Sequence, residues 1–227
     1  MSSESSTRTV ERALALLEVV CDRGSASLAD SARAADLAPS TALRLLRTLE
    51  TSGFIRKDTD GSYRAGSRII QLGAQALSNE SLVALSRSAM EDLVDETGES
   101  VYLSIEGHRG TALYISIVEG THSVRHASWV GHTIPLAQSA AGQVILGRTP
   151  AVGYVVVERG IEPDVTAVAA PVTSDGRVVA AMSLVVPSYR VTPADAERYG
   201  RALAAAAGRV SESLGRRSPA AGAGVAP

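Results

Sequence analysis

The chain has 227 residues, 45% of them apolar, a formal net charge of -2 and a single cysteine. That length suits two small domains, and one cysteine excludes a disulfide framework or a multi-cysteine metal cluster. Near-neutrality excludes a polycationic, sequence-indifferent nucleic-acid binder, so any DNA contact has to come from a local basic surface. The first residues, MSSESST, lack the basic start and apolar stretch of a secretory signal, and no apolar run approaches the ~20 residues of a membrane span. A cytoplasmic location is the expectation, with Cys21 packed as a small hydrophobe.

Along residues 7–22, Val10, Ala13, Leu14, Leu17 and Val20 recur at three- and four-residue spacing, the apolar stripe of an amphipathic helix ended by Gly24. Ser27 is placed to cap a short second helix carrying Leu28, Ala32 and Ala35, and a turn follows at 36–38. The run PSTALRLLRTLE begins with a proline suited to a first helical turn and directs Leu45, Leu46 and Leu49 inward. Gly53 terminates it. FIRK and SYR around the turn DTDG read as a two-stranded hairpin, so three helices and a wing are predicted over 1–65.

Ile69, Ile70, Leu72 and Leu77 predict a linker helix within 66–80, and a further helix spans about 81–96. Next come segments rich in β-branched and apolar residues: SVYLSIE, TALYISIVE, SVRHASWV, VTAVAAPV and VVAAMSLVV, with EGHRG and TSDG as turns. A last helix starts at Thr192-Pro193, and the Gly/Ala/Pro-rich end at 218–227 reads as disordered. Strands flanked by helices imply an α+β fold with an antiparallel sheet over 81–217.

Two constellations carry chemistry. On the third helix, Ser40 and Thr41 place hydroxyls near the N-terminus, and Arg44 and Arg47 place guanidinium forks one and two turns later. Hydroxyls and terminal amides hold phosphate, whereas arginine forks can bond guanine O6 and N7 in the major groove. Arg56, Lys57, Arg64 and Arg68 around the hairpin extend the basic surface. The second constellation is PLAQSAAG at 135–142, where a helix starting near Ser139 would offer free amides to an anion. His108, His122 and His132 are scattered without the partners of a metal site, and neither metal nor cofactor is expected.

The segments RALALLE, SLADSARAADLAPSTALRLLRTLETSGFIRKD and GSYRAGSRIIQLG, followed by TGESVYLSI, VGHTIPLAQSAAGQVILG and VAAPVTSDGRVVAAMSL, resemble the IclR-type transcriptional regulators over nearly the whole chain. The resemblance implies a winged helix-turn-helix reading double-stranded DNA at palindromic operators, and a GAF-like effector domain. It also implies a homodimer or homotetramer, with control by a small organic effector. It assigns Ser139, Ala140 and Ala141 to the effector, with Ile134, Val165, Ala167 and Ser183 as walls and His126 and Trp129 nearby. Two departures from the family pattern stand out. Between Gly147 and Gly153 the chain is short by about a helix and its loop. Gly160 stands where an acidic residue is common, and Ala167 where many members carry a cysteine or another small residue.

A hydrolase triad built on Ser139 is the enzymatic alternative, but the nucleophile elbow G-x-S-x-G is absent. A constitutive DNA-binding regulator whose C-terminal domain only oligomerises is the other. The preferred mechanism has effector binding change the spacing of paired winged domains through the linker at 66–78.

Overall fold

A computed structural model describes residues 3–78, 81–126 and 128–216, so the tail expected at 218–227 lies outside the described residues. The chain forms two compact units, 1–79 and 80–227. Unit one runs α1 (Ser3–Asp22), α2 (Leu28–Ala34), α3 (Pro39–Thr51), β1 (Ile55–Lys57), β2 (Tyr63–Ala65) and α4 (Ser67–Ser78).

Local chemistry sets these boundaries. Ser27 Oγ accepts the Asp30 N–H at the start of α2, and Pro39 occupies the first turn of α3. Gly53, at φ 75°, ends α3: its N–H donates to the Glu50 carbonyl and the Phe54 N–H to the Leu49 carbonyl, the two bonds of a Schellman closure. β1 and β2 pair antiparallel, and Ala26 joins Tyr63 through reciprocal backbone bonds of 3.0 and 2.8 Å, which ties the α1–α2 loop to the hairpin. Leu16, Val20, Ala42, Leu46, Ile55 and Tyr63 fill the core.

The stripe expected on α1 does not all face inward. Val10 and Leu14 are 56% and 52% exposed, while Leu16 is fully buried beside Val20. The inward face is thus rotated toward Leu16, with Ala13 and Leu17 at its margin. Cys21, expected inside, is exposed, because it sits about 100° around the helix from Val20.

Unit two runs α5 (Ser81–Thr97), β3 (Ser100–Glu106), β4 (Thr111–Val118), β5 (Thr133–Pro135), α6 (Ala140–Ile145), β6 (Val155–Glu158), β7 (Val165–Ser174), β8 (Arg177–Pro187), a 3-10 turn at Ser188–Arg190, and α7 (Pro193–Gly215). The strands form one antiparallel sheet in the order β5-β4-β3-β8-β7-β6. Each central strand is apolar on both faces, and the period of two sorts the side chains. Val101, Leu103, Val168, Ala170, Met182 and Leu184 join Met90 and Leu93 of α5 and Leu203 and Ala206 of α7. Tyr102, Tyr114, Ala169, Ala181 and Val185 point to the other face, toward Ala140, Ala141 and Val144 of α6. α7 begins with a capping box in which Thr192 and Asp195 exchange side-chain and backbone bonds.

Segment 123–130, expected as a strand, forms none among its described residues; it belongs to the long β4–β5 connection. Its Val124, His126 and Trp129 serve a folded loop. β5 and β6, each short and at a sheet edge, were not anticipated.

Candidate functional site

The outer face of α3 is a shallow groove lined by Ser40, Leu43, Arg44, Arg47, Thr48, Thr51 and Ser52. Burial of Ala42, Leu45 and Leu46 against unit one forces this geometry, since residues one or two positions away must face outward. Thr41 is half-buried on the flank. Arg44 and Arg47 have no carboxylate partner among the described residues. The wing differs. Arg56 and Arg64 both bond Asp58, at 2.5 and 2.7 Å, and Lys57 Nζ lies 5.7 Å from the Tyr63 ring centroid. Its two arginines share one carboxylate, whereas Arg44 and Arg47 on α3 have none among the described residues. Arg68, at the start of α4, donates to Gln71 Oε1 at 2.9 Å.

In unit two, all nine residues expected around the effector line one cleft: His126, Trp129, Ile134, Ser139, Ala140, Ala141, Val165, Ala167 and Ser183. The sheet explains part of this convergence. Ser183 on β8 faces Tyr102 on β3 and Ala169 on β7 in register, on the face that carries α6. Ser183 is 1% exposed, and its hydroxyl has no hydrogen-bond partner among the described residues. Ser139 is spent as a cap: its hydroxyl donates to the Pro135 carbonyl at 2.8 Å and accepts the Gly142 N–H at 3.1 Å. That leaves it no activating base. Gly142 is required there, because an added Cβ would strike the Leu136 backbone folded over the helix start.

Seven further residues complete the lining: Tyr114, Gln138, Val157, Gly160, Ile161, Glu162 and Val185. The free space is small, about 30 Å³ open to the centre of a water molecule, room for roughly two waters. Burial, with a smaller contribution from the Glu162 charge, pushes the Tyr114 hydroxyl up to about 12. Gly160, where an acidic residue was noted as missing, has no room for one: a Cβ would collide with the Gln138 carbonyl and the Val157 side chain. The carboxylate on this wall comes from Glu162, two residues on.

A hydrogen-bond chain crosses the cleft. Tyr102 Oη lies 2.7 Å from His126 Nδ1, and His126 Nε2 lies 2.9 Å from Glu162 Oε1. Burial raises the Tyr102 pKa, so it remains a phenol, and the Trp129 backbone N–H bonds its oxygen. A carboxylate oxygen accepts, so His126 donates through Nε2–H to Glu162 while its Nδ1 faces the Tyr102 hydroxyl. Trp129 packs edge-on to His126 with ring centroids 4.9 Å apart. The loop holding both is anchored by Glu99, 1% exposed, which receives two 2.8 Å bonds from Arg190; Arg190 also donates to the Val124 carbonyl at 2.9 Å.

Among the described residues no group of three or more His, Cys, Asp or Glu side chains could hold a metal, and no helix is long and apolar enough to cross a membrane. Glu162 and Tyr102 were missed from sequence. A glutamate in a loop and a tyrosine in an apolar strand carry no periodic signal that pairs them with a histidine 36 and 24 residues away.

The family model for the IclR helix-turn-helix domain matches residues 9–59, and that for the bacterial transcriptional regulator IclR C-terminal domain matches 74–151 and 146–212, two stretches that overlap at 146–151. The transcriptional repressor IclR of Escherichia coli (strain K12) is 30% identical over 144 residues, 62% of this chain and 53% of that protein. The HTH-type transcriptional regulator XynR of the same organism is 25% identical over 247 residues, 92% of this chain and 97% of that one. Against several of these relatives the match spans little more than half their length. Among solved structures, an IclR transcriptional regulator from Alicyclobacillus acidocaldarius has a TM-score of 0.79 at 23% identity, covering 92% of this chain and 99% of that one. An IclR homolog complexed with 4-hydroxybenzoate, from Microbacterium hydrocarbonoxydans, has a TM-score of 0.73 at 24% identity, covering 91% and 98%. These two share the fold. With both units matched in order and more than half of the residues inside the family models, the chain belongs to the IclR family of bacterial transcriptional regulators.

Proposed function

We propose that this chain is a transcription regulator that binds duplex DNA through α3 and the wing, and whose operator affinity responds to a small organic effector held in the unit-two cleft. The observation that carries the DNA reading is the pair Arg44 and Arg47 on the outer face of α3, without carboxylate partners among the described residues, in a unit whose wing arginines share Asp58. Unpaired guanidinium forks on an outward helix are the groups that bond guanine edges, while Ser40, Thr41, Arg56, Lys57 and Arg64 hold phosphates on either side. The exposed apolar side chains of Val10 and Leu14 on α1 and of Ile70 and Leu72 on α4 support pairing of two copies, which a palindromic operator requires.

The effector reading rests on the convergence of nine expected residues and the Ser183 hydroxyl, which has no hydrogen-bond partner among the described residues. The relative that carries 4-hydroxybenzoate in its crystal suits it. α4 connects the two modules in sequence and is the route by which occupancy changes the pairing of winged units. The relatives bear the names of regulators and repressors, which favours this over a hydrolase.

One observation favours a second reading, a regulator whose unit two only oligomerises: the cleft volume of about 30 Å³ admits water but not an organic molecule without movement. The test uses fluorescence anisotropy on the gene's own upstream DNA and on a scrambled duplex in moderate salt. Preference for the upstream DNA is expected, and equal affinity refutes the regulator. Thermal shifts across organic acids, aromatics and lactones decide the effector, since binding to the native state raises its melting temperature; no shift across that panel favours the second reading.

A further inference from the structure

The chain across the cleft contains a carboxylate in an unusual place. Glu162 lies on the irregular β6–β7 connection and is 38% exposed by side chain, yet its Oε1 reaches inward to His126 Nε2, whose ring is 9% exposed. The histidine is the fixed partner, with Tyr102 on its other nitrogen and Trp129 against its face. The glutamate is the movable one, able to turn into water where a carboxylate is fully solvated. No lysine or arginine lines the cleft, which makes His126 the one lining side chain that can carry positive charge. The remaining walls are mostly aromatic or aliphatic, with Gln138 and the helix-capping Ser139 as polar exceptions and the Ser183 hydroxyl, without a hydrogen-bond partner among the described residues, on the sheet beneath.

We propose that Glu162 occupies the position of a ligand carboxylate, and that the cleft takes a small monoaromatic acid which enters by replacing Glu162 on His126 Nε2. This rests on the effector reading above and adds the ligand class and the displaced group. The exchange is one hydrogen bond for another: Nε2–H releases the Glu162 oxygen and donates to the incoming carboxylate, no proton moving. The departing side chain adds its own volume to the present cavity. The ring of the acid then lies among Tyr114, Trp129 and Val185, and Ser183 is available to a polar substituent.

The experiment uses the full-length protein, with benzoate as probe and benzamide as its neutral counterpart. Trp129, the only tryptophan, supplies the fluorescence signal. Glu162→Ala removes both the occupant and its charge; Glu162→Gln removes the charge but keeps a side chain that reaches His126. Glu162→Ala is expected to tighten benzoate by roughly fivefold or more and to leave benzamide within about twofold, with Glu162→Gln between wild type and alanine. Adding His126→Phe to Glu162→Ala removes the preference for benzoate over benzamide. Benzoate binding to wild type that is unchanged or weaker in Glu162→Ala overturns displacement and leaves the effector cleft standing. Equal tightening by Gln and Ala also overturns it, because repulsion alone would then explain the effect. If neither probe perturbs Trp129 in wild type or Glu162→Ala, with circular dichroism showing both folded, displacement by a monoaromatic acid fails; the broader thermal-shift panel judges the cleft separately.

Discussion

Replacing Arg190 with methionine tests how the cleft loop is held. Arg190 meets Glu99 through two charge-assisted bonds of 2.8 Å, Nε to Oε1 and Nη2 to Oε2, and Glu99 is 1% exposed. Without the guanidinium, the nearest remaining cation is His122, whose Nε2 is 3.5 Å from Glu99 Oε1, long for a hydrogen bond and charged only when protonated. A carboxylate left in that position costs about 3–5 kcal/mol. The Val124 carbonyl also loses its 2.9 Å donor, which frees the loop carrying His126 and Trp129. Urea unfolding followed by Trp129 fluorescence reads the change in unit two directly. The double variant Glu99→Leu/Arg190→Met removes the stranded charge as well and is expected to recover most of the loss, because an apolar pair of similar volume often equals a buried ion pair. A single-variant loss below about 1 kcal/mol, the scale of a surface pair, would show that the pair contributes no more than exposed charges do. A double variant no more stable than the single would refute the stranded-charge reasoning.

Arg44→Ala is expected to weaken binding to the preferred DNA by about 1–3 kcal/mol and to flatten sequence preference, whereas Lys57→Ala weakens all duplexes alike; anisotropy titrations on matched and scrambled DNA separate the two, and equal losses for Arg44→Ala contradict its assignment to bases. Ser183→Ala removes a buried hydroxyl without a partner among the described residues, so ligand-free stability is expected to hold or to rise by up to about 1 kcal/mol, and a fall in the urea midpoint would reveal a partner for that oxygen. The Asp195 carboxyl is held at about 2, below its ordinary 3.8, by the Thr192 hydroxyl first and Arg198 second. A lowered folded-state value gives stability that is present above pH 4 and lost as pH falls through about 2. The gap between wild type and Asp195→Asn in thermal melts is therefore expected to stay constant from pH 7 to 5 and to narrow between 4 and 2; a gap independent of pH would place the cap's contribution outside ionisation.

What the sequence disclosed followed from period and punctuation. Ser27, Pro39, Gly53 and Thr192 mark helix ends through local bonds that need only a few neighbouring residues, and each stands where it was expected. Apolar spacing was less decisive on α1, where Leu14 and Leu16 are both leucine and only the packing of α3 and the hairpin selects Leu16. Strand propensity misled at 123–130. Valine and tryptophan give the segment a strand-like composition, but the loop satisfies Val124, His126 and Trp129 through Tyr102, Tyr114 and Arg190, contacts that no local pattern encodes. β6 escaped notice because four residues at a sheet edge carry little periodic signal.

The cleft divides along the same line. Ser183, Val165 and Ala167 reach it because strand alternation puts them on the α6 face, and the family resemblance named them. Tyr102 shares that face and was legible in principle, since it lies in register with Ser183 on the neighbouring strand. Glu162 was not, because it comes from a turn with no repeating geometry, and Gly160 drew attention instead as a missing acid. Backbone crowding at Gly160 excludes a side chain there, while two residues further on the chain has turned enough to aim a carboxylate at His126. A family pattern read one position at a time thus registers the loss of an acid. In three dimensions a carboxylate, Glu162, stands on that wall two residues further along the loop and is joined to a histidine, and the displacement proposed above would make the cleft select ligands by the carboxylate they carry and not by shape alone.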